Sequence, residues 1–301
     1  MNSEQLINAK CIANSIEDYI DSPELEAVMG DSHSCWIIHE KFSAQRFPEY
    51  ILDKPDYNEI IQIFKKLKCL LVGYTIIPDD KLKVNAYLYE CRDKSYDIDK
   101  LESSSVRRNI RYGRRNLKYG FTDWDDILMH GLKAFSDTRR RVGLSDGVEK
   151  NFNKRFLEFS KNKYHKAVAA WLQGQIIGFM SLIVVNKFVI IQGTFSIDEH
   201  KKYRPNNVLV DFVLKHFLVE NGFNIVSYGL SSIQEEAEME GLHNFKTSVG
   251  FNAIPAQRVF LLNPILSILK LPIKLVIHFL KILLPRNRFV RKASGIFNYL
   301  E

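Results

Sequence analysis

Between Lys166 and Ser231 the chain follows an order that few folds accommodate. KAVAAWLQ, a Gly174-Gln175 turn, IIGFMSLIVVN and KFVIIQGTFSID are three β-rich runs joined by short connections. Their spacing predicts an antiparallel meander from Lys166 to Asp198. The basic loop EHKKYRPNN leads into the apolar stretch VLVDFVLKHFLVENG, which reads as a helix, and NIVSYGLS reads as a further strand. Three strands, a loop, a helix and a strand in this order call for an α/β (α+β) protein. Its sheet is mixed and mostly antiparallel, with helices on its faces.

The rest of the chain fits that frame. CWIIH (35–39) and KCLLVGYTIIP (68–78) are apolar and β-rich, and VNAYLYEC (84–91) alternates like a half-buried strand. NEIIQIFKKLK predicts an amphipathic helix with Asn58 as N-cap and Ile60, Ile61, Phe64 and Leu67 on its apolar face. LESSSVRRNIRYGRRNLKYGF (101–121) predicts a basic helix capped by Ser103 to Ser105 and stopped at Gly120. Gly113 weakens its interior by about 1 kcal/mol. Two further helices are expected over roughly 125–142 and 147–161. YGLSSIQEEAEMEGLHNFKTSVGF (228–251) reads as a strand end, an acidic loop and a short helix closed by Gly250. Leu242, Phe245 and Val249 share one face of that helix. Lys246 cannot join such a buried face without an anionic partner.

The charge balance narrows the partners. Net charge +7 and a pI near 9.0 favour an anionic ligand such as a phosphorylated cofactor, an anionic lipid or a nucleic acid. Cys11, Cys35, Cys69 and Cys91 lack C-x-x-C spacing, which argues against a zinc site and a disulfide framework and suits a reducing cytosol. No metal is expected. The first twenty residues carry acids and no long apolar run, so no secretory signal is read there.

The pattern G-L-x-x-F-K-x-x-x-G-F after an acidic loop, with the strand and helix order before it, resembles the Fem-like branch of the GNAT acyltransferase superfamily. That branch includes aminoacyl-tRNA-fed peptidyltransferases and acyl-CoA-dependent relatives. The resemblance covers 101–264 best and implies a GNAT acyltransferase core there. A degenerate GNAT-like lobe would fill 1–100, and 265–301 would form an amphipathic basic tail. It further implies that the donor's pantetheine arm runs along the strand at Gly193, Thr194 and Phe195. Gln192 and Gly193 interrupt that strand like a bulge.

The donor's pyrophosphate would lie on the loop of Lys201, Lys202 and Arg204 and on Asn206 and Asn207 at the helix start. Tyr203, Arg204 and Pro205 stand where the family usually has glycines. Acyl transfer to an amine needs a base and an oxyanion donor. Glu235 in the acidic loop is the candidate base, with Glu236, Glu238 and Glu240 beside it. Tyr228 and Ser231 are candidate hydrogen-bond donors, and Lys246 is carried over from the family as a catalytic cation. Arg107, Arg111, Arg141 and Ser232 are assigned to the acceptor.

The tail supplies a further partner. Lys270, Lys274, His278 and Lys281 fall on one helix face amid leucine and isoleucine, and Arg286, Arg288, Arg291 and Lys292 follow. Three lysines and Pro272 speak against a membrane span, whereas a broad apolar face with a basic stripe suits a helix lying in an anionic membrane surface through 265–292. The expectation is therefore an N-acyltransferase using acetyl-CoA or another acyl-CoA on a small-molecule or lipid-linked amine. It would be cytoplasmic, or peripheral on the inner face of the membrane. The alternatives are a Fem-type peptidyltransferase fed by aminoacyl-tRNA, where tRNA would be the nucleic-acid partner, and a non-catalytic binding protein of the same fold.

Overall fold

A computed structural model describes residues 16–21, 25–30, 34–39, 42–143, 147–185, 187–231, 239–283, 290 and 293–296. In chain order the elements are α1 (Ile16–Ile20), β1 (Ala27–Met29), β2 (Cys35–His39), β3 (Ser43–Phe47), α2 (Tyr57–Leu67), β4 (Leu71–Ile76) and β5 (Ala86–Cys91). Then come α3 (Ser104–Asn116), β6 (Lys118–Thr122), α4 (Trp124–His130), α5 (Leu132–Arg141), α6 (Val148–Lys161), β7 (His165–Leu172), β8 (Gln175–Val185) and β9 (Phe188–Ser196). The chain closes with α7 (Pro205–Leu214), β10 (Ile225–Leu230), α8 (Met239–Ser248), β11 (Asn252–Leu262) and α9 (Lys270–Leu283). This is the α/β class and the mixed, mostly antiparallel pairing that the sequence predicts.

The chain divides into two compact units. The first comprises Met1–Tyr19, Glu90–Gly229 and Asn244–Asn252, the second Ile20–Tyr89, Leu230–His243 and Ala253–Glu301.

In the first unit the strands run in the order β10-β9-β8-β7-β6. The meander is antiparallel throughout, and β10 joins β9 in parallel. The predicted helix over 125–142 is broken in two at Gly131. There the N–H bonds Ile127 O at 2.7 Å, and a Cβ would sit 2.7 Å from that same oxygen. The halves, α4 and α5, pack with α6 over Phe135, Phe152, Phe156, Phe179 and Phe195. The predicted stop at Gly120 is also displaced. The α3 helix ends at Asn116, and 118–122 pairs with β7 as an edge strand. Tyr119 and Phe121 pack their rings against Phe212.

Gly113 is explained by the same packing. A Cβ there would stand 2.2 Å from Val208 Cγ2 and 3.1 Å from the Tyr203 carbonyl, so α3 and α7 approach as closely as they do only over a bare backbone. The pair is tied by Arg114, which donates to both oxygens of buried Asp211 at 2.8 and 2.9 Å, with Tyr96 donating to the same carboxylate at 3.3 Å. Past Leu214 the helix widens into a π-helical turn, Lys215–Glu220.

In the second unit the order is β1-β2-β3-β4-β11. Its α2 buries Ile60, Ile63, Phe64 and Leu67 against Trp36, Val72 and Val259. The cap of α2 is Asp56, whose carboxylate accepts from Asn58 N–H at 2.7 Å, and not Asn58 itself. Arg46 is buried and donates to Ser34 and to the carbonyl and carboxylate of Asp53.

Candidate functional site

The β9 strand carries the irregularity the sequence points to. Ser181 of β8 faces Gly193, and Leu182 faces Ile191, which leaves Gln192 as an extra, exposed residue. Gly193 is required beside this bulge. A Cβ would meet the Phe195 ring at 2.6 and 2.7 Å, so the ring folds over the bare glycine. Thr194 projects to the other side, and its hydroxyl lies 2.6 Å from the Tyr228 hydroxyl.

Tyr228 stands at the end of β10. Lys246, on α8, is 3% exposed. Its ammonium donates to the Tyr228 carbonyl at 2.9 Å and lies 4.7 Å from the centre of the Tyr228 ring. A carbonyl dipole and a π face thus lie against the buried ammonium. Burial pushes the Tyr228 phenol up to about 12, against a smaller downward pull from Thr194. A phenol that weakly acidic keeps its proton at neutral pH. It can donate a hydrogen bond to a developing oxyanion but cannot serve as a base. The site therefore gathers a neutral donor and a fixed cation beside the bulged strand.

The loop after β9 is organised by an acid the sequence reading passed over. Asp198 accepts from Arg140 at 3.2 Å, from Lys201 at 2.8 Å and from Arg141. Its backbone N–H bonds buried Asp137 at 2.9 Å. These cations, Lys201 first, hold the Asp198 carboxyl well below the usual range. Lys201 and Arg141 are thus neutralised within the loop. Arg141 additionally donates to the Ser196 carbonyl at 3.1 Å.

Lys202 and Arg204 are different. Among the described residues neither makes an ion pair, and both are exposed. Arg204 is left-handed (φ 61°, ψ 42°) and turns the chain into α7, whose first residue is Pro205 and whose start has no side-chain cap. The Oδ1 atom of Asn206 is buried without a partner. Asn207 follows in the same first turn. An uncapped helix start with two available cations suits a phosphate ester, whereas the Asn206 oxygen, an acceptor, would call for an N–H or O–H donor instead.

Arg107 and Arg111 have their own partners. Arg107 donates to the Leu101 and Glu102 carbonyls, and Arg111 pairs with Asp99, so each braces the approach to α3. Ser231 belongs to the second unit. It exchanges hydrogen bonds with the Tyr87 backbone, its N–H to Tyr87 O at 2.8 Å and Tyr87 N–H to its Oγ at 2.9 Å. That hydroxyl serves as a strand clamp. Ser232 and Glu235 lie outside the described residues. Leu242, expected on a buried face, is 50% exposed, while Val249 is fully buried. His243, which no motif singled out, sits between the Tyr87 and Tyr89 rings with Nδ1 2.9 Å from the Tyr89 hydroxyl. The aromatic alternation of AYLYEC was the signal for that pocket.

In the tail, α9 leaves Leu275, Val276, Phe279, Ile282 and Leu283 between 57% and 65% exposed, with Lys274 and His278 exposed beside them. Among the described residues no helix is long and apolar enough to cross a membrane, and no cluster of His, Cys, Asp and Glu could hold a metal.

No family model matches the sequence, and neither does any curated protein. Solved structures do match in fold. One is the C-terminal domain of a protein described as a lysylphosphatidylglycerol synthetase from Agrobacterium fabrum (13% identity, 86% of this chain and 92% of that chain, TM-score 0.55). A second is FemX (11% identity, 86% and 95%, TM-score 0.54). A third is a conserved protein of unknown function from Bacteroides thetaiotaomicron (11% identity, 86% and 96%, TM-score 0.50). The chain has a GNAT-like fold, shared with these structures. At these identities the likeness extends to the fold alone.

Proposed function

We propose that the protein is an N-acyltransferase that moves an acyl group from acyl-CoA to an amine. The observation that carries this reading is the grouping of Lys246, Tyr228 and Thr194 beside the bulge at Gln192–Gly193. In acyl transfer the amine nitrogen attacks the acyl carbonyl, the carbon–sulfur bond breaks and the thiol departs. Charge collects on the carbonyl oxygen on the way. A neutral phenol backed by a buried ammonium is suited to receive that charge, because both are held in place before the reaction and the ammonium is kept from bulk water. The backbone at Gly193–Phe195 would hold the donor's arm. Lys202, Arg204 and the first turn of α7 would hold its pyrophosphate, with Lys201 and Arg141 shaping the loop through Asp198.

A second reading is aminoacyl transfer from a charged tRNA. It is favoured by the likeness to FemX and to the lysylphosphatidylglycerol synthetase domain. The exposed apolar stripe of α9 with its lysines supports an acceptor met at an anionic membrane surface. Calorimetric titration with acetyl-CoA tests the donor. Saturable binding that is lost in the Lys202→Ala/Arg204→Ala variant supports acyl-CoA. No binding by the parent, together with transfer from aminoacyl-tRNA, would move the assignment to the second reading.

A further inference from the structure

The C-terminal end of α7 lines a cavity of about 350 Å³ within the first unit. None of its lining residues belongs to the Lys246, Tyr228 and Thr194 group or to the loop of Lys202 and Arg204. Three aromatic rings form its apolar wall. Phe212 stands edge-on to Phe121 and Tyr119 of β6, with ring centres 5.4 and 6.0 Å away. All three side chains are only half-buried. His216 extends the wall, parallel to Phe212 at 5.6 Å and edge-on to Phe121 at 4.9 Å.

The π-helical turn supplies the polar side. Such turns are rare and recur at functional sites. This one is held by Asn221, whose amide donates to the His216 carbonyl at 2.7 Å, and it brings Lys215, His216 and Glu220 onto one cavity. The two acids there are already engaged. Buried Asp211 accepts from Arg114 and Tyr96, and Glu220 lies 3.3 Å from His216 Nδ1. The cations are not used up. Arg114 spends Nε and Nη2 on Asp211, and among the described residues its Nη1 makes no hydrogen bond. Lys215 is exposed and among the described residues makes neither an ion pair nor a hydrogen bond. It lies close enough to act electrostatically on Asp211, so both spare cationic groups flank that carboxylate. An aromatic wall with unspent cationic donors suits a flat ring bearing an anion. The volume sets the size, since ligand pockets run to about 300–1,000 Å³ and this one is at the small end. It takes one ring with a short acidic arm and has no room for a coenzyme.

We propose that this cavity binds a small aromatic carboxylate, its ring against Tyr119, Phe121 and Phe212 and its carboxylate on Lys215 and Arg114 Nη1. The site is a second ligand site of the first unit. It does not rest on the acyltransferase reading, because none of the groups that carry that reading lines it.

The test is calorimetric titration of the full chain with matched probes at constant pH and ionic strength. Phenylacetate carries ring and carboxylate, acetate lacks the ring, and phenethylamine reverses the charge. Phenylacetate should bind saturably with a Kd in the millimolar range or tighter, the scale for a ligand of about ten non-hydrogen atoms. Acetate and phenethylamine should bind at least about tenfold more weakly. Lys215→Gln should weaken phenylacetate about fivefold or more, as the loss of one charge-assisted contact, and should melt like the parent because Lys215 is exposed. Phe121→Leu should weaken it through lost ring contact. Lys118→Gln, one residue from Tyr119 but outside the cavity lining, should bind as the parent does, which separates the site from general attraction to a basic protein. The proposal is overturned if phenylacetate does not saturate, if acetate or phenethylamine binds as tightly, or if Lys215→Gln binds like the parent. Loss of phenylacetate binding in Lys246→Met would place the probe in the acyl-transfer site and overturn it too. Failure of acetyl-CoA to bind the parent would count against the donor assignment and leave these outcomes intact.

Discussion

Replacing Gly113 by alanine sets two effects of similar size against each other. In the interior of α3, Gly→Ala favours the helix by about 1 kcal/mol. The new methyl, however, would stand 2.2 Å from Val208 Cγ2, where carbon atoms at rest keep about 3.5–4.0 Å. Val208 is fully buried on the first turn of α7 and, being β-branched, has one strongly preferred helical rotamer. The 3.1 Å approach to the Tyr203 carbonyl involves backbone and yields less. Overpacking of this kind costs about 1–3 kcal/mol, and an overlap of more than about 1 Å puts it in the upper part of that range, about 2–3 kcal/mol. The net expectation is a loss of about 1–2 kcal/mol, or roughly 2–8 °C in melting temperature for a unit of this size.

The strain falls on the turn proposed to hold the donor, so acetyl-CoA affinity should drop along with stability. Val208→Ala in the Gly113→Ala background removes the clashing methyl. Thermal melts and calorimetry on the four-member cycle should therefore give a favourable coupling of about 1 kcal/mol or more. A Gly113→Ala protein as stable as the parent, or a cycle that is additive, would refute the claim that this glycine exists for the α3–α7 crossing.

Lys246→Met keeps the buried stem and removes the ammonium. Turnover should fall by about 100-fold or more, while a cold, folded spectrum persists. Normal turnover in this variant would remove Lys246 from the reaction. Tyr228→Phe leaves the ring under Lys246 but deletes the hydroxyl shared with Thr194, and should lower kcat with little change in KM for the donor. The double change Leu275→Glu/Phe279→Glu on α9 should abolish sedimentation with phosphatidylglycerol vesicles and leave the melting temperature unchanged, since both side chains are exposed. A fall in melting temperature would mean that α9 packs internally.

His216 gives a pH signature. Burial lowers its folded pKa below the ordinary value, overriding the opposing pull of Glu220. Below about pH 6.5 the unfolded chain binds the proton first, so stability should decline as pH falls through the window between that value and the depressed one. His216→Phe should flatten that slope in urea melts.

The strands of the meander were legible because each alternates or runs apolar for longer than its flanking turns. The edge strand β6 was not, because KYGFT continues a basic helical pattern without a break, and only the open edge of β7 selects strand over helix. The break between α4 and α5 was hidden for a related reason. Gly131 is weak as a stop signal, and what enforces it is the Phe179 ring on the sheet below, 3.1 Å from a would-be Cβ. The β11 strand, AIPAQRVFLL in its body, carries a proline and little alternation, and its place follows from antiparallel pairing with β4. Local pattern decides an element only where no neighbour has a stronger claim on its hydrogen bonds.

The same principle governs the charged residues. Sequence spacing grouped Lys201, Lys202, Arg204, Arg107, Arg111 and Arg141 as cations awaiting an anion, since a stripe of like charge says nothing of what lies opposite it. Three-dimensional neighbours divide them. Asp198, Asp99 and the Leu101, Glu102 and Ser196 carbonyls engage four of the six, which leaves Lys202 and Arg204 at the uncapped helix start. A charge of functional interest is thus recognised by what the fold withholds from it. By that measure Lys202 and Arg204 carry more weight than Arg107 and Arg111 of α3, whose partners are already in place.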